Sequence, residues 1–362
     1  MKWSTKVGKI RGINVYIHFT FWLIILFVGY SYWKQGNDPS STIIGILFVM
    51  AIFLCVLLHE FGHALTAQKF GIKTRDITLL PIGGLARLEK IPENPVEELW
   101  ITVAGPLVNV VIAGVLYLIL KLTGTFEPLE MITLIEGPFF QRLMIANIAI
   151  FIFNLLPAFP MDGGRMLRAI LAMNMNYVQA TQVAVNVGQI FALLFGILGF
   201  FANPFLIIIA LFVWIGATME GNIVQIKHEL SGIPVKKAMI TDFKTLDISD
   251  NLSKAMNLII AGTQKDFPVL DNKQIVGVLT ERNMLRGLSE KGAQAPVTQF
   301  MTSNYETIEE FDMLETVFLK LQDSECRTIP VINKSNLVGI FTMENLGEFL
   351  SIQNAMGKSF KV

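Results

Sequence analysis

Residues 54–65 read Leu-Cys-Val-Leu-Leu-His-Glu-Phe-Gly-His-Ala-Leu and place two histidines, His59 and His63, inside a long apolar run. Histidines four residues apart on an α-helix lie on one face, about 40° apart around its axis. This spacing suits two ligands of one zinc ion, and Glu60 is placed to act as general base beside the open position of the metal. The apolar run is long enough to span a membrane, so the pattern predicts metal chemistry in or at a bilayer.

The composition agrees with a membrane protein. The chain has 362 residues, of which 52% are hydrophobic and only 16% charged, and its mean hydropathy is +0.54. These values are too apolar for an ordinary soluble protein, and the length is too great for a single domain. The formal net charge is zero, so we expect no nucleic-acid partner.

Six apolar segments are candidate membrane spans, roughly 14–34, 43–68, 99–121, 138–157, 185–202 and 204–220. Positive charges concentrate in the N-terminal tail, in the loop after the second span and in the segment after the fourth. Because such loops stay on the cytosolic side, we predict a multi-pass protein of the cell (inner) membrane with both termini cytosolic. The expected fold of this part is a polytopic α-helical membrane protein with about six transmembrane helices.

Residues 71–91 do not fit a helix. Ile77 and Leu79 alternate with polar residues, and Pro81 and Gly83-Gly84 break the chain. The pattern predicts a β-hairpin or re-entrant loop. It is either an ordinary cytosolic hairpin or a sheet edge beside the active site, which could pair with an extended substrate.

A catalytic zinc takes three protein ligands and keeps one open position. The remaining histidines, His18 and His228, are possible third ligands, but Asp162 is the better candidate. Prolines break the chain after the fourth span and free backbone groups there, and Gly163-Gly164 allows a tight turn directly after the carboxylate.

Three motifs together resemble the site-2 protease family (peptidase M50) of intramembrane zinc metalloproteases. They are HExxH in the second span, Ala104-Gly105-Pro106 followed by Asn109 in the third, and Asn154-x-x-Pro-x-x-Pro-x-Asp162-Gly-Gly after the fourth. The resemblance covers about residues 1–225.

The resemblance implies the role of each site residue. His59, His63 and Asp162 would bind one zinc ion per chain. Glu60 would be the general base, and Asn154 would contact the substrate backbone or the developing oxyanion. The family acts in regulated intramembrane proteolysis, so the expected substrates are single-span transmembrane proteins or signal-peptide remnants in the lipid bilayer.

After about residue 230 the sequence becomes polar and repeats with an offset of 62 residues. Pro234-Val235 matches Pro296-Val297, and Pro268-Val269 matches Pro330-Val331. A shared offset indicates a tandem duplication. Each unit follows a strand–helix–strand–strand–helix order and resembles a CBS domain, so we expect a cytosolic α/β tandem CBS pair with domains over 233–291 and 295–352.

CBS pairs often bind adenosine ligands through a Thr/Ser-x-x-Asp motif. The corresponding residues here are Thr280 and Asn283 in the first repeat, and Thr342 and Asn345 in the second. Because asparagine is a neutral acceptor, its bond to a ribose is weaker than that of aspartate. The resemblance implies possible binding of ATP or another adenosine nucleotide, and homodimerisation through the CBS domains.

Two functions compete with the protease. A CBS-gated transporter or channel would spread polar residues over several spans and show repeats in the membrane part. A non-catalytic membrane scaffold would bind no zinc. The single cluster of histidine and acidic residues favours the protease.

Overall fold

The computed structural model describes residues 3–36, 39–81, 83–88, 92, 94–128, 137–323 and 326–357. The chain divides into two compact units, Met1–Asn222 and Ile223–Val362. The first is built mainly from long apolar helices, and the second from two similar α/β repeats.

The helices that begin in the first unit are α1 (Phe19–Gly36), α2 (Pro39–Lys69), α3 (Pro95–Thr123), α4 (Phe139–Asn154), α5 (Asp162–Ala172), α6 (Tyr177–Phe201) and α7 (Phe205–Leu230). Within the described ranges, four of them, α2, α3, α6 and α7, are long and apolar enough to cross a membrane. Helix α4 is apolar but has only 16 residues. The membrane fold is therefore confirmed, whereas the count of six spans stays a prediction.

A four-stranded sheet accompanies these helices, with β1 (Ser4–Ile10), β2 (Ile13–His18), β3 (Thr74–Leu80) and β4 (Gly83–Leu88) in the order β1-β2-β3-β4. Strands β2 and β3 run parallel, while β1–β2 and β3–β4 are antiparallel. Asp76 of β3 accepts hydrogen bonds from Nε (2.9 Å) and Nη2 (2.7 Å) of Arg87 on β4. The hairpin predicted within 71–91 is confirmed, although residues 82 and 89–91 of that segment lie outside the described residues.

The expected first span, 14–34, is wrong at its start. Residues 14–18 belong to β2, and α1 begins only at Phe19. Ile13 and Val15 are buried and alternate with less buried neighbours, which is the period of a strand. Arg11 and Gly12 both have positive φ, of 48° and 88°, and make the tight turn that connects β1 to β2.

The sheet packs against the part of α2 that carries the histidines. Phe61 and Ala64 of α2 form one buried cluster with Ile13, Val15 and Ile77 of the sheet. Because Phe61 is inside the HExxH motif, burying it against the sheet turns the two histidines toward the other helices.

The second unit has two three-stranded sheets, each flanked by helices. The first repeat comprises β5 (Leu246–Asp247), α8 (Leu252–Ala261), β6 (Phe267–Asp271), β7 (Gln274–Leu279) and α9 (Glu281–Lys291). The second comprises β8 (Ile308–Glu309), α10 (Leu314–Asp323), β9 (Thr328–Asn333), β10 (Asn336–Thr342) and α11 (Met343–Ala355). Each repeat has its own apolar core, and the predicted duplication of an α/β unit is confirmed.

Candidate active site

The two histidines lie on one turn of α2, against α3. Their Nε2 atoms are 3.1 Å apart, and the two rings stand at 83° to each other. Gly62 lies between them in sequence, and a β-carbon at this position would be 2.7 Å from the carbonyl oxygen of Ala104. A glycine here therefore allows the HExxH turn to approach the backbone of α3.

Gly105 of α3 faces the same two rings. A β-carbon at this position would lie 2.2 Å from Nε2 of His63 and 2.8 Å from Nε2 of His59. Both distances are shorter than real contacts, so any larger residue would occupy the space of the imidazoles. The Ala104-Gly105-Pro106 motif thus has a direct steric role at the site.

Asp162 is the first residue of α5 and completes the group. Its Oδ2 atom lies 3.1 Å from Nε2 of His59 and 3.2 Å from Nε2 of His63, and the residue is buried. The chain folds back tightly next to it, because a β-carbon at Gly163 would be 2.2 Å from the carbonyl oxygen of Leu156. The glycine is therefore needed for the turn that presents the carboxylate.

The hydrogen bonds of the two rings determine where their protons are. Nδ1 of His63 lies 2.8 Å from the carbonyl oxygen of Ile101, and Nδ1 of His59 lies 2.5 Å from Oδ1 of Asn109. Both oxygens can only accept, so both Nδ1 atoms carry a proton, and in the neutral ring, the form that binds metal, each Nε2 atom presents a lone pair. These lone pairs point at Oδ2 of Asp162, which is buried and has no hydrogen-bond donor.

Three electron-rich atoms separated by 3.1–3.2 Å repel one another unless a cation lies between them. Tetrahedral zinc with bonds of about 2.0–2.2 Å holds its ligand atoms about 3.3–3.6 Å apart, only a few tenths of an ångström more than the observed separations. Two neutral imidazoles and one carboxylate also match the donor set of catalytic zinc sites that keep a fourth position open. The residues present therefore fit the metal, and they are the candidate metal-binding group among the described residues.

Glu60 lies next to this group and under the β-hairpin. A β-carbon at Gly84 of β4 would be 2.3 Å from Cγ of Glu60, so the strand passes directly against this side chain. The candidate base and the edge strand of the sheet are therefore neighbours.

The other residues predicted for this site are Asn154, His18 and His228. Asn154 ends α4, is partly buried, and its side chain makes no hydrogen bond to the described residues. Nδ1 of His18 lies 2.6 Å from Oγ1 of Thr20, and His228 is part of α7. Neither of these two histidines belongs to the metal-binding group.

A buried charge cluster near α5 was missed from the sequence. Arg168 donates from Nε to Oε1 of Glu98 (2.9 Å) and from Nη1 to Oε1 of Glu220 (2.8 Å). Its guanidinium lies 5.1 Å from the ring centroids of both Phe159 and Tyr177. These contacts anchor α5, the helix that begins with Asp162. The only sequence signal is isolated charges in apolar surroundings, which does not reveal which residues pair.

The four predicted nucleotide-binding residues divide between the two repeats. Thr280 and Thr342 cap α9 and α11, each accepting from the backbone N–H three residues on. A cavity of about 390 Å³ is lined by Thr342 and Asn345, but not by Thr280 or Asn283. Nδ2 of Asn283 instead donates to Oγ1 of Thr302 (3.1 Å).

The cavity is acidic. Two basic residues, Lys265 and Arg327, line it. The acidic residues that line it are Asp242, Asp266, Glu281, Glu344 and Glu348.

Comparison with known proteins gives two matching families. The model of peptidase family M50 matches residues 47–137 and 131–195, and that of the CBS domain matches 235–290 and 297–351. A zinc metalloprotease of Methanocaldococcus jannaschii is 32% identical over 359 residues, which cover 97% of each chain. A putative zinc metalloprotease of Synechocystis is 28% identical over 317 residues, 82% of each chain.

Among solved structures, a site-2 protease from Methanocaldococcus jannaschii is 38% identical, with a TM-score of 0.46, and covers 60% of this chain and 95% of that one. Relatedness to a zinc metalloprotease along nearly the whole chain favours an enzyme over a transporter, a channel or a scaffold. The protein is therefore a member of peptidase family M50, a membrane zinc metalloprotease with a C-terminal pair of CBS domains.

Proposed function

We propose that this protein hydrolyses a peptide bond within or near transmembrane segments of membrane proteins, as in regulated intramembrane proteolysis. The main support is the buried convergence of three lone-pair atoms, two from histidines of α2 and one from the aspartate at the start of α5. Because α2 and α3 are long enough to cross a membrane, a substrate span in the bilayer could reach this site. The expected substrates are single-span transmembrane proteins or signal-peptide remnants.

In this proposal His59, His63 and Asp162 hold one zinc ion, which supplies a water of lowered pKa and polarises the scissile carbonyl. Glu60 removes a proton from the attacking water and later gives it to the nitrogen that leaves when the C–N bond breaks. The amide of Asn154, which has no partner among the described residues, donates to the carbonyl oxygen as negative charge develops there.

The β-hairpin is the proposed docking edge for the substrate. The carbonyls of a helical substrate are already hydrogen-bonded, so the segment to be cleaved must first unwind. Strand β4 is at the edge of the sheet, and Gly84 lies against Glu60. An extended segment paired with β4 would therefore lie beside the general base.

We propose a protease domain over residues 1–225 and CBS domains over 233–291 and 295–352, with both termini and the CBS domains in the cytosol. The distribution of positive charge supports this orientation. His59 is about two-thirds of the way along α2 (Pro39–Lys69), which supports a metal site on the cytosolic side of the membrane midplane.

The CBS pair is the proposed regulatory and dimerising part of the chain. The cavity beside Thr342 and Asn345 can take an adenosine compound, with Asn345 facing its ribose. Five acidic and two basic residues line the cavity, so a triphosphate meets net negative charge. We therefore expect weak binding of ATP, and regulation mainly through a homodimer.

The test is cleavage of a single-span membrane protein co-expressed with the wild type or with Glu60→Gln. We expect a cleaved fragment only with the wild type, and no cleavage of the same sequence when it is expressed as a soluble domain without its span. Cleavage by Glu60→Gln, or equal cleavage of the soluble form, would contradict the proposal.

A further inference from the structure

We propose that Asn147, on α4, is a positioning residue that keeps His59 in the tautomer that can bind metal; the inference rests on the zinc site of the proposed function. Asn147 touches neither the histidines nor Asp162 through any hydrogen bond that the structure gives. It is fully buried, as is Asn109, its partner on α3. No motif in the sequence singles out Asn147.

The two histidines are held in different ways. Nδ1 of His63 donates to the backbone carbonyl of Ile101, an oxygen that can only accept, so its tautomer is fixed directly. Nδ1 of His59 instead faces the side-chain amide of Asn109. An amide can present either its oxygen or its NH2 group, and the two choices demand opposite tautomers of the imidazole.

A chain of hydrogen bonds removes this ambiguity. Nδ2 of Asn147 donates to the carbonyl oxygen of Leu143 (2.9 Å), which leaves Oδ1 of Asn147 facing Asn109. Nδ2 of Asn109 donates to that oxygen (3.0 Å), which turns Oδ1 of Asn109 toward His59. The bond of 2.5 Å to His59 then requires the proton on Nδ1 and leaves Nε2 bare. A backbone carbonyl of α4 thus determines the orientation of a metal ligand on α2.

The amides of Asn109 and Asn147 are buried in an apolar region, where polar groups are unfavourable unless they are hydrogen-bonded. Leu143, Met144 and Cys55 belong to the apolar cluster between α2, α3 and α4, and Asn147 is one turn along α4 from Leu143. Burying an amide costs free energy unless its groups are hydrogen-bonded, and here each amide is paired on both sides. Residues that orient a metal-bound histidine through its second nitrogen typically change metal affinity about 10- to 100-fold when mutated.

The experiment measures zinc affinity of the purified full-length protein by competition with a chelator, with no reference to cleavage. In Asn147→Leu the amide of Asn109 is free to rotate, and we expect zinc to bind about 10- to 100-fold more weakly than in the wild type. Asn147→Ala is measured beside it, because it removes the same amide with no added bulk. Leu143→Ala is the matched control, since it loses side-chain packing in the same cluster but keeps the carbonyl.

Two further variants test direction rather than packing. In Asn147→Asp, a protonated carboxyl group can donate to the carbonyl of Leu143 and accept from Asn109, so this variant should keep near wild-type affinity. In Asn109→Asp/Asn147→Leu the carboxylate accepts from His59 whichever way it rotates, so affinity should recover. Unchanged affinity in both Asn147→Leu and Asn147→Ala would overturn the inference, as would an equal loss in Leu143→Ala or no recovery in the double variant. A wild type without zinc would instead refute the proposed function.

Discussion

At the scale of single residues, the site depends on two ring nitrogens and one carboxylate oxygen whose lone pairs face one another. Nε2 of His59, Nε2 of His63 and Oδ2 of Asp162 converge because the opposite nitrogen of each ring is already a donor. Without a cation this arrangement would be repulsive. The two imidazole rings fit beside α3 because Gly105 has no side chain; a β-carbon there would overlap them.

We therefore predict that Gly105→Ala lowers zinc affinity at least about tenfold, because a β-carbon would displace two rings whose other nitrogens are held by hydrogen bonds. Gly114→Ala on the same helix is the control, since no atom lies within 4 Å of a β-carbon there. Zinc content after dialysis against a weak chelator measures the difference. Equal zinc in the two variants would show that α3 does not confine the histidines.

At the scale of elements, the sequence predicts helices and turns that have a hydrophobic period or a Pro/Gly break. It misses strands and side-chain pairs that form between residues distant in the chain. The helix of HExxH and the hairpin within 71–91 follow from local pattern. Strands β1 and β2 were missed because the apolar residues of β2 run directly into α1, and β2 is a strand through its pairing with β1 and β3. Asn147 and Arg168 were missed for a related reason, since their partners lie on other helices.

The contact between β4 and α2 leads to a prediction that distinguishes the role of the general base, Glu60, from metal binding. In Gly84→Ala the new methyl group would lie 2.3 Å from Cγ of Glu60, so we expect the side chain of Glu60 to move while the metal ligands stay in place. We expect full zinc content and at least about a tenfold loss of cleavage rate. Gly8→Ala on β1, where the space is open, should change neither quantity. A loss of zinc in Gly84→Ala would contradict this separation of roles.

At the scale of the whole molecule, the sequence identifies the protease part from its two separated motifs and the CBS pair from its internal duplication. The HExxH and Asp-Gly-Gly motifs lie far apart in the chain, yet the structure brings His59, His63 and Asp162 together. Their roles as zinc ligands stay predictions until metal is measured. In the CBS pair the duplication predicts two equivalent nucleotide sites. Of the four predicted residues, only Thr342 and Asn345 line the described cavity, whereas Asn283 donates to Thr302.

We predict that Asn345→Asp tightens adenosine binding by the full-length protein, because a charged acceptor makes a stronger bond to ribose hydroxyls than a neutral one. Asn283→Asp, at the equivalent position but outside the cavity, should leave the affinity for adenosine unchanged. Calorimetry with adenosine and with ATP gives both constants, and ATP should bind the wild type more weakly than about 1 μM. A tighter constant for ATP would refute the argument from the acidic lining.

The central claim is that His59, His63 and Asp162 bind one zinc ion, and that Glu60 acts as general base without being a ligand. The most direct test is metal analysis of the purified protein alongside a cleavage assay. We predict one zinc per chain in the wild type and in Glu60→Gln, with cleavage lost only in the variant, and loss of both zinc and cleavage in His59→Ala/His63→Ala. Full zinc content in the double histidine variant would contradict the account.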